Sequence, residues 1–309
     1  MRLHSFKQID LLNFSLKFDL FIAASGYEQR ASFISNNGIN AEKKIVLAFE
    51  DNKEHPNRII NDDFFKKNDF KFISIKGNDN QIINCLLDDF INHSTSQNIN
   101  ILIDYSSMTR VIYGGILKYF RILNKSDVKI KLYFSYSIAE YVAPPEIEPE
   151  TFNFYPINSY CNLSLPTKAT ALIAGLGYEK KRVFGLREYF DAEALYLFYT
   201  DKSPYTNIVK TKNQEVITSV SENNLFPYIL SDMLYTKMLL HDLCETLNEK
   251  FRIVIAPCGP KPFTLLCFIT SLSICNVDIW RISAGDDDNG AIMDRKPTGD
   301  TISIELVFN

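Results

Sequence analysis

The sequence repeats itself at one spacing. Ile22-Ala23-Ala24-Ser25-Gly26-Tyr27-Glu28-Gln29-Arg30 returns as Ile173-Ala174-Gly175-Leu176-Gly177-Tyr178-Glu179-Lys180-Lys181, with Gly26 and Gly177 151 positions apart. A second landmark, Asp104-Tyr105-Ser106-Ser107-Met108-Thr109-Arg110, matches Ala256-Pro257-Cys258-Gly259-Pro260-Lys261-Pro262, with Ser107 and Gly259 152 apart. Two landmarks in the same order at one offset describe an internal duplication. A chain of 309 residues is long for one core and divides into two of ordinary size.

Each landmark closes an apolar run. In the first half, runs at 20–24, 44–49, 70–75, 99–104 and 129–137 read as strands. Helical patterns at 28–35, 57–67, 79–92 and 108–123 lie between them. In the second half, strands are expected at 170–174, 194–199, 215–220, 251–256 and 277–283. Helices are expected from the second glycine loop through Tyr189, over 227–250 and over 262–275, with a terminal strand at 301–308. Such alternation predicts right-handed βαβ units on a mostly parallel sheet.

The expected fold is therefore α/β: two tandem, duplicated Rossmann-like domains in a pseudo-twofold arrangement. Residues 1–142 form the N-terminal half and 169–309 the C-terminal half. Residues 143–168, with five prolines, form a connector that lays a strand or hairpin along one domain.

Composition narrows the function. A net charge of −4 and pI near 5.7 give no global basic field, and so no strong case for duplex nucleic acid. The six cysteines form no C-x-x-C pair and sit mostly in apolar runs, as expected of free thiols in a reducing cytoplasm. Neither a signal peptide nor an apolar run of membrane-spanning length is present, so a soluble, cytoplasmic protein without a membrane partner is expected. The four histidines lack metal spacing. Asp286-Asp287-Asp288-Asn289-Gly290 resembles half a calcium loop without its terminal glutamate, so no metal is assigned.

In open parallel sheets ligands bind beyond the carboxyl ends of the strands, and all four landmark loops lie there. In the first loop, Gly26 permits close backbone approach, Tyr27 is placed to stack on a base, Glu28 suits a helix start, and Arg30 suits a phosphate. Gly177, Tyr178, Glu179 and Lys181 repeat these roles. G-x-G-x-x-G is missing from both copies, which disfavours an NAD or FAD oxidoreductase, and no cofactor is predicted. In the loop after the fourth strand, Asp104, Ser106, Ser107, Thr109 and Arg110 form the richest polar cluster of the chain. One of Ser106 and Ser107 is expected to cap the following helix. Gly259 and Lys261 stand at the matching places. Gly114 and Gly115 indicate close packing of that helix, against the sheet or the other half. His55 is placed to rim the site. Asp62-Asp63 and Asp88-Asp89 read as solvated helix faces.

A Rossmann-like unit with a polar loop after strand one, and the hydroxyl-and-basic loop Ser106-Ser107-Met108-Thr109-Arg110 after strand four, resembles the CARF domain. Two such units in one chain resemble the SAVED domain. The resemblance implies a cytoplasmic sensor of cyclic nucleotides or oligonucleotides in a prokaryotic antiviral defence system, acting on an effector that here would be a separate chain. A composite site lined by both loop pairs is expected. Two other functions fit the same residues. One is an enzyme on a nucleotide or phosphodiester, with Asp104, Glu28 and Glu179 as the acid–base candidates. The other is a structural subunit of a larger complex.

Overall fold

The computed structural model describes residues 1–13, 15–125, 127–144, 152–158, 160–161, 167–178, 182–284 and 294–309. The chain divides into two compact units, Met1–Val142 with Met293–Asn309, and Ala143–Ile292.

Unit 1 carries β1 (Leu3–Ile9), β2 (Phe18–Ser25), a 3-10 turn (Gln29–Ser32) running into α1 (Phe33–Asn36), β3 (Ala41–Phe49) and α2 (Pro56–Lys67). It continues through β4 (Lys71–Ile75), α3 (Asn80–His93), β5 (Asn98–Asp104), α4 (Arg110–Ile122) and β6 (Lys129–Ala139). Unit 2 carries β7 (Phe152–Pro156), β8 (Thr170–Gly175), α5 (Arg182–Tyr189), β9 (Ala192–Asp201), α6 (Thr206–Lys212), α7 (Gln214–Thr218) and β10 (Leu225–Ile229). It ends with α8 (Met233–Asn248), β11 (Arg252–Pro257), α9 (Lys261–Ser271) and β12 (Val277–Ala284), after which β13 (Pro297–Phe308) returns to unit 1.

The sheet of unit 1 runs β1-β13-β6-β5-β2-β3-β4, and that of unit 2 runs β10-β9-β8-β11-β12-β7. Counted within each unit, the five parallel strands stand in one order: third, second, first, fourth, fifth. This is the order of doubly wound α/β sheets, in which the chain reverses direction between the first and fourth strands. The register repeats as well. Leu20 on β2 pairs with Ile101 on β5, and Ala171 on β8 pairs with Ile253 on β11. Leu20 and Ala171 lie 151 positions apart, and Ile101 and Ile253 lie 152 apart, the spacing of the sequence landmarks.

The central strands explain their own composition. β2 and β8 have neighbours on both sides and are buried over almost their whole length, so they read as unbroken apolar runs. Phe18, Phe21, Ala23, Val46, Phe65 and Leu102 share one core of unit 1. Leu172, Leu195, Leu197, Val209 and Val254 share one of unit 2. α9 is buried at every residue from Pro262 to Thr270, which is why it shows no polar face. No helix among the described residues is long and apolar enough to cross a membrane.

Three expectations are corrected. The third strand of unit 2 is Leu225–Ile229, not 215–220, most of which folds instead in α7. The chain is then extended through Pro227, a residue that an edge strand such as β10 tolerates, and the helix expected from 227 begins at Met233. The 169–309 domain also loses its last segment: β13 lies between β6 and β1, antiparallel to both, so residues 293–309 complete unit 1. Within 143–168, β7 pairs antiparallel with β12. Each sheet thus receives its antiparallel strand, next to its fifth parallel strand, from a segment that crosses between the units.

Candidate functional site

The loops after the first and fourth parallel strands meet in both units. A Cβ on Gly26 would lie 3.1 Å from Ser107 Cβ and 3.2 Å from its Oγ. In unit 2 a Cβ on Gly259 would lie 3.0 Å from the Leu176 carbonyl oxygen. At each crossing a side chain would crowd its neighbour, the Ser107 side chain in unit 1 and the Leu176 backbone in unit 2.

A buried asparagine fixes the glycine loop each time. Asn61, on α2, donates its side-chain amide to the carbonyls of Gly26 (3.0 Å) and Glu28 (2.9 Å). Asn213, between α6 and α7, donates to Gly177 (2.8 Å) and Val209 (2.9 Å). The following tyrosine faces a ring from the loop after the second strand. Tyr27 lies 5.7 Å from His55, and Tyr178 stacks on Tyr205 at 6.2 Å with 21° between planes. Burial, then the charge of Glu28, raises the Tyr27 phenol above its ordinary pKa. His55 also caps α2, accepting from Asn57 N–H at 3.3 Å.

The polar residues of unit 1 divide into two groups. Arg30 is turned inward and fully buried. It pairs with Glu28, donates to the Ser137 carbonyl at 2.8 Å and lies 4.8 Å from the centre of the Tyr136 ring. Burial alone would lower its pKa, but Tyr136 and Glu28 outweigh that and raise it. Arg30 is therefore a structural cation within unit 1, which corrects its assignment as a phosphate ligand. Asp104 and Ser106 are buried too. The Asp104 carboxylate accepts from the Ser106 N–H at 3.0 Å and from its hydroxyl, while Ser106 Oγ accepts from Ser137 N–H at 2.8 Å, tying β5 to β6.

Tyr27, Glu28, Ser107, Thr109 and Arg110 remain half-exposed. Thr109, rather than Ser106 or Ser107, caps α4: its Oγ1 accepts from Ile112 N–H at 3.4 Å and donates to Asn78 at 2.6 Å. The Ser107 hydroxyl oxygen is buried with no hydrogen-bond partner among the described residues, as is that of Ser137. Gly115 faces the Asn80 side chain of α3, so the close packing foreseen at this glycine is against a neighbouring helix of unit 1. Asp62 and Asp88 are not merely solvated. Asp62 accepts from Ser25 at 2.6 Å and from Arg58 at 2.9 Å, and Asp88 accepts from the Tyr119 hydroxyl at 2.6 Å.

In unit 2, Gly177 and Tyr178 hold the positions described, and Lys261 opens α9 behind Pro260. Glu179, Lys181 and the 286–290 acidic run lie outside the described residues. Among the described residues no group of three histidine, cysteine, aspartate or glutamate side chains is placed to hold a metal. Sequence reading missed Asn61, Asn213 and Tyr205. Their signal was present: each asparagine follows its glycine by 35 or 36 positions.

No protein-family model matches this chain, and no curated protein does. Among solved structures it is matched to the crystal structure of the cytoplasmic domain of a prokaryotic cation chloride cotransporter. The identity is 9% over 89% of this chain and 98% of that one, with a TM-score of 0.25. A likeness of that degree carries no functional argument.

Proposed function

We propose that the loop face of unit 1 binds a nucleotide-type ligand and that the protein acts as a sensor or regulatory subunit. One observation carries this reading. Unit 2 keeps the scaffold, in Gly177, Tyr178, Asn213 and the approach of Gly259 to Leu176. Yet Ala256, Cys258, Gly259 and Pro262 stand where unit 1 has Asp104, Ser106, Ser107 and Arg110. Asp104 and Ser106 serve to tie β5 to β6, but the same crossing is built in unit 2 without Ser107 and Arg110, so these two answer to something other than the crossing itself. An aromatic face at Tyr27, a buried hydroxyl at Ser107 and a cation at Arg110 suit a base, a ribose or phosphate oxygen and a phosphate charge. The resemblance to CARF and SAVED domains adds the class, a cyclic nucleotide or short oligonucleotide, and the setting, a prokaryotic antiviral defence system with a separate effector chain.

The enzymatic alternative has less support, because Glu28 is engaged by Arg30 and Asp104 is buried against Ser106. Titration with AMP, cyclic dinucleotides and cyclic oligoadenylates tests the reading. Arg110→Ala should weaken binding about tenfold or more, the equivalent of about 1.5–3 kcal/mol for a lost charged contact, and Tyr27→Ala, which removes the stacking face, should weaken it in the same direction. Lys66→Ala, on an exposed face of α2, should bind as wild type. Equal affinity in all three variants removes the site from these loops. New products formed from any of these ligands would favour the enzyme.

A further inference from the structure

The loop after β2 is held from a distance of 265 positions. The Asp294 carboxylate accepts from the Gln29 backbone N–H at 3.0 Å and from the Gln29 side-chain amide. The Asn57 side chain and the Arg295 backbone complete its donors. Beside it, Arg30 N–H donates to the Arg295 carbonyl at 3.2 Å, and Glu140 N–H donates to the Lys296 carbonyl at 2.9 Å. Arg295 Nε lies 4.0 Å from Glu28. Residues 294–296 are the last part of the crossing that leads into β13, and Glu140 begins the other crossing after β6.

Packing of β13 does not account for this contact. None of residues 294–296 is buried, and the pairing of β13 with β6 starts at Pro297. What holds Asp294 is a set of neutral N–H donors converging on one carboxylate, chemistry that serves an external phosphate or carboxylate equally well. Exchanging one anion for another keeps the Gln29 and Asn57 donors satisfied, and releasing the segment gives up the Arg30 and Glu140 N–H bonds to it while returning chain entropy.

We propose that Asp294 is a built-in competitor for an anion seat formed by Gln29 and Asn57, and that an external phosphate group taken there displaces it and frees residues 294–296. This rests on the reading that loop 26–30 belongs to a ligand site. An internal competitor lowers apparent affinity by the fraction of molecules in which the seat is open. The seat therefore reports the ligand to a segment through which the chain passes from unit 2 back into unit 1.

Calorimetric titration of the full chain with inorganic phosphate tests the competition, and hydrogen exchange of the 294–300 peptide tests the release. Asp294→Ala should bind phosphate at least tenfold more tightly than wild type, and adding Gln29→Ala should remove most of that gain. Asp294→Asn keeps the shape of the side chain without its charge and should gain in the same direction, which covers the case in which the alanine variant folds poorly. In the wild type, saturating phosphate should speed exchange across 294–300. Phosphate affinity in both Asp294 variants no higher than in wild type, including no binding at all, would overturn the proposal, as would a 294–300 peptide that stays protected with phosphate bound. The nucleotide reading fails separately, if Tyr27→Ala and Arg110→Ala leave AMP affinity unchanged while the Asp294 variants still gain for phosphate.

Discussion

Asn61 and Asn213, 152 positions apart, make the same hydrogen bond, each donating its side-chain amide to the carbonyl of the glycine that follows the first parallel strand of its unit. Both side chains are buried, at 2% and 3% exposure. A buried amide in that place binds the loop to the helical segment after the second strand, so the tyrosine following the glycine is presented from a fixed backbone.

Asn61→Ala leaves the carbonyls of Gly26 and Glu28 without this donor and should cost about 1–3 kcal/mol in urea unfolding. Asn213→Ala should cost a similar amount. Asn61→Asp should not rescue, because a carboxylate accepts where a donor is required. A variant as stable as wild type would show that the loop holds itself.

Gly26→Ala should destabilise by about 1–3 kcal/mol through overpacking alone, since the added methyl meets Ser107. Ser107→Gly in the same chain should return much of that loss, giving a coupling energy of about 1 kcal/mol in a double-mutant cycle. Additive effects would mean that the two loops do not touch in solution.

All six cysteines are free thiols. Burial pushes the Cys244 thiol up to about 12, and burial followed by the Asp278 charge does the same for Cys161. A thiol reagent at neutral pH should label the exposed Cys85 and Cys275 quickly and reach Cys244 and Cys267 after unfolding. Labelling of Cys244 at the rate of Cys85 would contradict the packing of α8. Adding reductant should leave the Tm unchanged.

The Asp294 contact should survive mild acid. Burial opposes the charged form, but the Gln29 side chain and N–H, Asn57 and the Arg295 backbone outweigh it and lower the carboxyl pKa. A carboxylate with a depressed folded pKa contributes stability above its unfolded value and loses that contribution as pH falls through the folded one. The charged groups of the same loop contact one another: Glu28 pairs with Arg30 and lies 4.0 Å from Arg295 Nε. Protection of the Gln29 amide, corrected for intrinsic exchange, should therefore hold through the usual carboxylate range and fall below it. Loss of protection already near pH 5 would mean that another group carries the contact.

Much of the fold was legible because its signals are local. β2, β5, β8 and β11 are short apolar runs ending in polar or glycine-bearing loops, and a repeat at one offset needs no tertiary knowledge to be seen. The third strand of unit 2 was illegible for an equally local reason. Glu215-Val216-Ile217 has the β-branched composition of a strand, yet its neighbours fold it as α7, while Pro227 disguises the true edge strand.

The sequence by itself determined the duplication, the alternation of strands and helices, and the four loops at which a ligand site is to be sought. Tertiary structure decided which sheet receives β7 and β13, because strand pairing across more than 120 residues leaves no trace in periodicity. It also decided the fate of the polar side chains. Arg30 and Arg110 look alike in the sequence, both basic and both near the start of a helical segment after a buried strand. Arg30 turns inward to Glu28, Ser137 and Tyr136, whereas Arg110 stays half-exposed at the start of α4. That difference depends on what β6 brings alongside, and only the folded chain assembles it.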